Sequence, residues 1–392
     1  ERSAYPQFPK LPNHALMKFS SYFKGLGLTV KLVWRPEQVP LLRKDNAVYV
    51  GSALYTGNHS RFIERLQLRP QFNLSLRPED ITIGTPRDFM PSEVEDCLCD
   101  YTEYIQAVSE GLKLGWWPVN VGFLTRGCFR RCEFCVNGDK TEIYPVNTLE
   151  EIYRMPGHDI ELLDDNLFAY KGAPDLLREI GDFHRREGVG FRLRNGLDCR
   201  RVTDDRLEAL AYAAPGFKAF HTAWDDVKNT FIYTNILKVD SAINRSLRCY
   251  TLAGVYVETE EDAYKDILGL FYRYYMLRYT GVEPIIALFE DDRGEYRNPY
   301  WHAYMAIKRS YYMMRASRRT HLRRWAIPGT EHITDWIINL LGDYSWLVEL
   351  RLGDILDMPD LDSRLEEIAG EIGVKHRGLP DEPLRRPIDG EG

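Results

Sequence analysis

Thr125-Arg126-Gly127-Cys128-Phe129-Arg130-Arg131-Cys132-Glu133-Phe134-Cys135 is the stretch on which the reading of this chain turns. Cys128, Cys132 and Cys135 stand at C-x3-C-x2-C spacing within eight residues. Three thiolates this close can ligate three irons of a [4Fe–4S] cluster and leave the fourth iron without a protein ligand. At such an open iron a small molecule can bind by inner-sphere contact and receive an electron. Other metal sites want other donors. A structural zinc takes four ligands, commonly as two spaced pairs, and Cys97, Cys99 and His158 do not lie at that spacing. A ferredoxin-like cluster also takes a fourth cysteine.

Working outward from the cysteines, residues 118–291 repeat the rhythm strand, loop, helix. Short apolar runs at 119–124, 160–163, 190–193, 217–221, 247–252 and 284–289 read as strands. Helical periodicity fills 173–187, 205–214 and 263–279 between them. Strands alternating with helices over this length predict a parallel sheet with right-handed crossovers. In parallel α/β barrels the chemistry sits where the strands end, so the residues following each strand become the candidates.

The cysteine spacing, with the aromatic Phe134 just before the last thiol, resembles the radical S-adenosylmethionine (SAM) superfamily. That resemblance implies an α/β fold with a partial (β/α)6 barrel over residues 118–292. It implies a [4Fe–4S] cluster held by Cys128, Cys132 and Cys135, SAM on the open iron, and Phe134 near the adenine. Its chemistry is reductive cleavage of SAM to a 5′-deoxyadenosyl radical that abstracts hydrogen from a substrate. A reductant such as flavodoxin or ferredoxin follows as a partner. Neither the substrate nor the residues acting on it can be named from the sequence.

Several strand ends carry groups suited to SAM. After the second strand comes Leu163-Asp164-Asp165-Asn166. Asp165 and Asn166, with Asp164 close behind, can accept from the methionyl ammonium; the same run reads equally as an Asx turn capping the next helix. After the third strand, Arg194 can clamp the SAM carboxylate bidentately, and Asn195 can bind the ribose hydroxyls. The alternative is a solvated arginine paired with a neighbouring acid; alternation puts Arg192 and Arg194 on one face, and a barrel interior that must hold a charged cosubstrate favours the SAM role. The resemblance further assigns ribose or substrate contacts to Trp224 or Asp225 after the fourth strand. It lays Gly254, after the fifth, along the adenine.

Residues 1–117 read as a small Rossmann-like domain and a connector. Leu16, Met17, Phe19 and Phe23 share one face of a helix that Gly25 and Gly27 end, and residues 28–34 and 47–54 read as strands. The segment lacks G-x-G-x-x-G. It resembles the cobalamin-binding-like domain that precedes the barrel in several radical SAM families, but their D-x-H-x-x-G cobalt-ligand motif is absent. A degenerate, cobalamin-free domain is the expectation, with a cobalamin-dependent methyltransferase as the alternative.

Residues 293–392 read as mostly helical. Lys308, Arg309, Arg315, Arg318, Arg319, Arg323 and Arg324 are interleaved there with Tyr311 and Tyr312. Such a run can hold phosphates and stack bases, which keeps a nucleic-acid-modifying enzyme among the readings. A solvated or ion-pairing helix face is the other. From a different class, the chain could be a non-catalytic metal- or nucleic-acid-binding protein.

Composition sets outer bounds. At 392 residues the chain is long enough for two or three domains. A formal charge of −7 argues against a uniformly basic coat. Seven cysteines, three of them clustered, suit a reducing cytoplasm better than a disulfide framework. No stretch approaches the about 20 apolar residues of a membrane span.

Overall fold

The computed structural model describes residues 14–30, 49–52, 81–84, 92–95, 97–102, 105–106, 118–132, 134–135, 142–289, 298–314 and 331–381. Among the described residues the chain is α/β, with a six-stranded parallel sheet, a separate two-stranded parallel pair and many helices. It divides into two compact units: Glu1–Tyr170, Glu179–Arg194 and Asp292–Glu295; then Lys171–Arg178, Asn195–Asp291 and Tyr296–Gly392. Among the described residues no helix is long and apolar enough to cross a membrane.

The first unit opens with a helix at His14–Gly25. Gly27 N–H donates to Lys24 O at 2.9 Å and Leu28 N–H to Phe23 O at 3.0 Å, with Gly27 at φ +78°. These paired bonds are a Schellman stop, which needs a left-handed residue and so favours glycine. They explain why residues 28–30 carry no strand although a strand was expected over 28–34; residues 31–34 lie outside the described ones. β1 (Tyr49–Ser52) matches the second expected strand and pairs in parallel with β2 (Ile81–Gly84).

β3 (Asn120–Gly122) begins the main ladder, and a short antiparallel pair follows, β4 (Thr125–Arg126) with β5 (Tyr144–Pro145). β6 (Ile160–Leu162) and β7 (Phe191–Leu193) complete the unit's parallel strands, in register Asn120↔Ile160↔Phe191. β3 and β6 are buried at every position, as strands covered on both faces are. Asn120 is fully buried yet satisfied: Nδ2 donates to Met155 O at 2.9 Å and Oδ1 accepts from Met155 N–H at 2.7 Å. Met17, Tyr101, Val119, Val121 and Met155 pack together. Tyr101 Oη accepts from Val121 N–H at 2.6 Å, which ties the chain preceding β3 to the strand itself.

In the second unit β8 (Phe217–Ala223), β9 (Leu247–Ala253) and β10 (Glu283–Leu288) run parallel. Helices Phe231–Ile243 and Glu260–Tyr279 make the crossovers. The second begins at a capping box in which Thr259 and Asp262 satisfy each other's backbone N–H, a device worth about 1 kcal/mol. It is buried almost all round, with Ile267, Leu270, Phe271, Tyr272, Tyr275 and Met276 near zero exposure. Phe231–Ile243 was not singled out in the sequence. Beyond β10 the described elements are helices, the longest being Trp301–Met314, Glu331–Leu341 and Leu361–Glu371. Residues 315–330, with most of the basic run, lie outside the described residues.

Candidate functional site

The three cysteines sit on the excursion between β4 and β5. Its base is fixed by Gly127, at φ +96°, where an added Cβ would fall 1.5 Å from Glu142 O. Only glycine fits such an approach. Val146 N–H donates to Leu124 O at 2.9 Å and Asn147 Nδ2 to Phe123 O at 2.8 Å, which closes the base from the far side. Cys128, Cys132 and Cys135 are half-buried, and none forms a disulfide. Cys135 N–H donates to Cys132 O at 2.9 Å, a tight turn carrying Phe134, which is half-buried. Among the described residues no three His, Cys, Asp or Glu side chains are gathered as a ligand set; Glu133 and residues 136–141 are outside them.

The run after β6 acts directly on this loop. Asp164 is almost fully buried; its Oδ2 accepts from Leu124 N–H at 3.2 Å, and its Oδ1 from Thr125 N–H and, at 2.7 Å, Thr125 Oγ1. Asp165 Oδ2 accepts from Gly127 N–H at 2.9 Å. Asn166 Nδ2 donates to Cys128 Sγ at 3.5 Å. Three successive side chains thus hold residues 124, 125, 127 and 128. Asn166 Oδ1 also accepts from Ala169 N–H at 3.2 Å, capping the short turn Leu167–Ala169. The turn-capping reading therefore holds for Asn166, and clamping of the loop is added to it. Burial pushes the Asp164 carboxyl up to about 6, against the pull of its hydrogen bonds from Thr125 and Leu124.

The donor chemistry fits an iron–sulfur cluster. Half-buried thiols at this spacing, none in a disulfide and one of them accepting an amide N–H, are of the type that can ligate such a centre and form part of its outer shell.

Further along the first unit, Arg194 stands 3.7 Å from Glu161 and Arg192 3.5 Å from Asp159. Burial raises the Glu161 carboxyl, and Arg194 is the foremost charge opposing that rise. Arg194 is exposed. His14 lies edge-on to Phe123, with ring centres 5.0 Å apart, and the Arg126 guanidinium sits 3.5 Å from the Phe123 ring centre. Burial first, then Lys18 and Arg126, hold the His14 pKa well below its usual value. His14 is thus a packing histidine, and His59 lies outside the described residues.

In the second unit Asn195 is exposed, and Leu197 N–H donates to His221 O at 2.7 Å. Trp224 is fully buried, stacked on Tyr233 at 5.7 Å, with Nε1 donating to Asp226 O at 3.1 Å. Gly254, at φ +80°, donates its N–H to Asp266 Oδ2 at 2.7 Å.

Arg273 was missed. It is buried, and its Nη1 donates to Trp224 O and Asp225 O, both at 2.7 Å. Nη2 donates to Leu252 O at 3.0 Å and Nε to Gly269 O at 3.1 Å. One guanidinium therefore fixes the chain leaving β8 and the end of β9. Burial raises the Asp225 and Asp266 carboxyls, and Arg273 is the first charge to oppose it. The signal was a lone cation inside Leu270-Phe271-Tyr272-Arg273-Tyr274-Tyr275-Met276.

Comparison with known proteins adds likenesses of fold. No family model matches, and no curated protein matches. The radical SAM methyltransferase TsrM from Kitasatospora setae, solved with tryptophan and the SAM analogue aza-SAM, superposes at a TM-score of 0.48 and 13% identity, covering 74% of this chain and 71% of that one. The cobalamin-dependent SAM radical enzyme OxsB, in its apo form, superposes at 0.46 and 16% identity, covering 76% of this chain. This chain spans about half of OxsB, 53% of its length. What this chain does is argued below from its own residues.

Proposed function

We propose that the chain is a radical SAM enzyme in which Cys128, Cys132 and Cys135 hold three irons of a [4Fe–4S] cluster. The observation that carries this reading is the clamp of Asp164, Asp165 and Asn166 on the cysteine loop. A loop with three thiols and a neighbouring strand end committed to its backbone is a scaffold for a ligand-bearing excursion. When bound, the cluster supplies one electron to the SAM sulfonium, whose cleavage gives methionine and a 5′-deoxyadenosyl radical.

The protein's share is holding and orienting, while the cofactors carry the hard chemistry. Asp164 is committed to Leu124 and Thr125, so its role is positional. Asp165 and Asn166, beside their loop contacts, are assigned the methionyl ammonium. Arg194, exposed and beside a buried Glu161, is assigned the SAM carboxylate. The resemblance assigns Asn195 and Trp224 to ribose or substrate and Phe134 and Gly254 to adenine. Trp224, sealed in the core, would serve by shaping the Asp225–Asp226 backbone. We keep residues 118–292 as the barrel, with 1–117 and 293–392 as flanking regions, and a flavodoxin- or ferredoxin-type reductant.

Anaerobic reconstitution with iron and sulfide, then dithionite reduction with SAM, tests the reading by chromatography for 5′-deoxyadenosine. Product is expected from the parent chain, with loss to background in Cys132→Ala. Zinc instead of iron in the isolated protein, with no product, would overturn it in favour of a binding protein. Cobalt in the purified chain would move the reading to the corrinoid-dependent alternative.

A further inference from the structure

β8 and β9 differ from β3 and β6 in that only one of their faces is closed. Along β8 and its continuation Phe220, Thr222 and Trp224 are buried, while His221, Ala223 and Asp225 are half-exposed. β9 repeats the alternation, with Cys249, Thr251 and Ala253 buried and Arg248, Tyr250 and Leu252 half-exposed. Trp224 marks the closed side, because it stacks on Tyr233 and meets Tyr272 edge-on at 6.1 Å, and both tyrosines lie on the crossover helices. Parallel sheets are ordinarily covered on both faces. Here the second face keeps room for a ligand.

Two groups on the open face decide what that ligand is. Trp224 N–H donates to Tyr250 O at 2.8 Å, so the ladder runs on past Ala223 and carries Asp225 onto the face of Ala223 and His221. The Asp225 backbone carbonyl is fixed by Arg273, yet its carboxyl has neither a hydrogen bond nor an ion pair among the described residues. Arg273 directs its donors to four carbonyls, and Arg200 Nε is held by Asp198 at 2.7 Å. Burial raises the Asp225 carboxyl, and Arg273 and then Arg200 oppose that rise without pairing with it. A cation brought against this carboxyl would offset the cost of holding its charge there. Tyr250 stands on the same face, its ring centre 5.9 Å from that of His221, in register with Ala223. Residues one diagonal step apart across a ladder have Cβ atoms about 7 Å apart. Ala223, the residue beside both, contributes only a methyl group.

We infer that the open face of β8 and β9 binds an aromatic compound bearing a primary ammonium group, with the ammonium against Asp225 and the ring on Tyr250. Charge complementarity places the cation, since an ammonium offers three donors to a carboxylate that has none. It gains further from lying within about 6 Å of an aromatic face. The ligand's own ring adds an offset or edge contact with Tyr250. As the substrate class of the enzyme proposed above, such a compound rests on that reading. Its binding needs neither iron nor SAM, so failure of the radical chemistry and failure of this site are seen in separate measurements.

Phenethylammonium is the probe, titrated into the full chain by calorimetry at neutral pH and constant ionic strength, with 2-phenylethanol as its uncharged counterpart. Saturable binding of phenethylammonium is expected, with the alcohol at least about tenfold weaker. Asp225→Asn keeps the side chain's shape and the backbone bonds to Arg273, and should weaken phenethylammonium by about tenfold or more while leaving the alcohol unaltered. Tyr250→Leu should weaken both probes by about threefold. The comparison of the two probes on the parent chain needs no variant, so the test stands even where a variant is not recovered folded. Absence of saturable phenethylammonium binding, equal binding of 2-phenylethanol, or an unaltered titration in Asp225→Asn or Tyr250→Leu would overturn the inference.

Discussion

The ends of β6 and of β8 solve one problem with opposite charges. Where a parallel strand ends, backbone groups that leave the ladder must find partners or stay unsatisfied in the core. In the first unit the exposed groups are N–H donors of residues 124, 125 and 127, and carboxylates from Asp164 and Asp165 accept them. In the second they are carbonyls of residues 224, 225 and 252, and the guanidinium of Arg273 donates to them. The sign of the buried charge follows the polarity of the backbone it meets. Each charge is therefore a positioning group, and removing it should release a loop the proposed chemistry depends on.

The largest effect is expected at Arg273. Arg273→Met keeps much of the volume and leaves four carbonyls without their donor, with Asp225 and Asp266 losing their nearest opposing charge. Breaking a buried charge network by removing one partner costs about 3–5 kcal/mol, read as a fall in the urea midpoint. Arg273→Lys should recover little, since one ammonium cannot reach four acceptors placed around a planar fork. A lysine variant as stable as the parent would show that charge alone matters there and dissolve the contrast with Asp164.

Asp164 comes next and brings a pH signature. Its carboxyl titrates at about 6 in the fold and near 4 in the unfolded chain. Between those values the native state holds the extra proton, so unfolding releases it. Stability attached to this group is complete below about pH 4 and falls as pH rises toward about 6, by on the order of 3 kcal/mol. Asp164→Asn cannot ionise, so urea midpoints measured from pH 4 to pH 7 should lose this component of the slope. Asp164→Ala, which strands two buried N–H groups and a hydroxyl, should lose the same slope and cost most near pH 4, by about 3 kcal/mol, with the cost shrinking as pH rises through about 6. An unchanged slope in Asp164→Asn would assign the pH dependence to other carboxylates and leave Asp164 as a neutral strut.

The contrast also explains what the sequence could tell. The strands of the six-stranded sheet were legible, because buried strands read as short apolar runs between turn residues; β2, in a stretch that reads as a connector, was not. The Asp164-Asp165-Asn166 run was legible as polar chemistry at a strand end, though its first commitment, to the cysteine loop's backbone, was not: hydrogen bonds across 39 residues leave no local pattern. The strand expected over 28–34 was lost in part to a helix stop whose bonds to Phe23 and Lys24 use the donors of residues 27 and 28. Arg273 was hidden for another reason. A helix buried on nearly every side has no polar face to define inward and outward, so a cation in it carries no direction. Trp224 shows the same limit, since an aromatic after a strand reads alike whether it meets a ligand or Tyr233.

Asn166 is the smallest and sharpest point of comparison, because it joins the turn to the sulfur. Its Oδ1 caps Leu167–Ala169 and its Nδ2 reaches Cys128 Sγ. Asn166→Asp keeps an acceptor for the cap and removes the donor to sulfur; Asn166→Ala removes both. Stability should therefore fall by about 1 kcal/mol in the alanine variant and by less in the aspartate variant. The reconstituted centre responds to a different property. Hydrogen bonds to the cluster sulfurs and ligand thiolates help to set its potential, and an N–H donor favours the more negative, reduced form. Both variants should then shift the midpoint potential downward, with aspartate shifting further because it brings a negative charge to the sulfur. If both reconstitute at the parent potential, the amide's part ends at the turn, and the clamp on the loop belongs to the two aspartates alone.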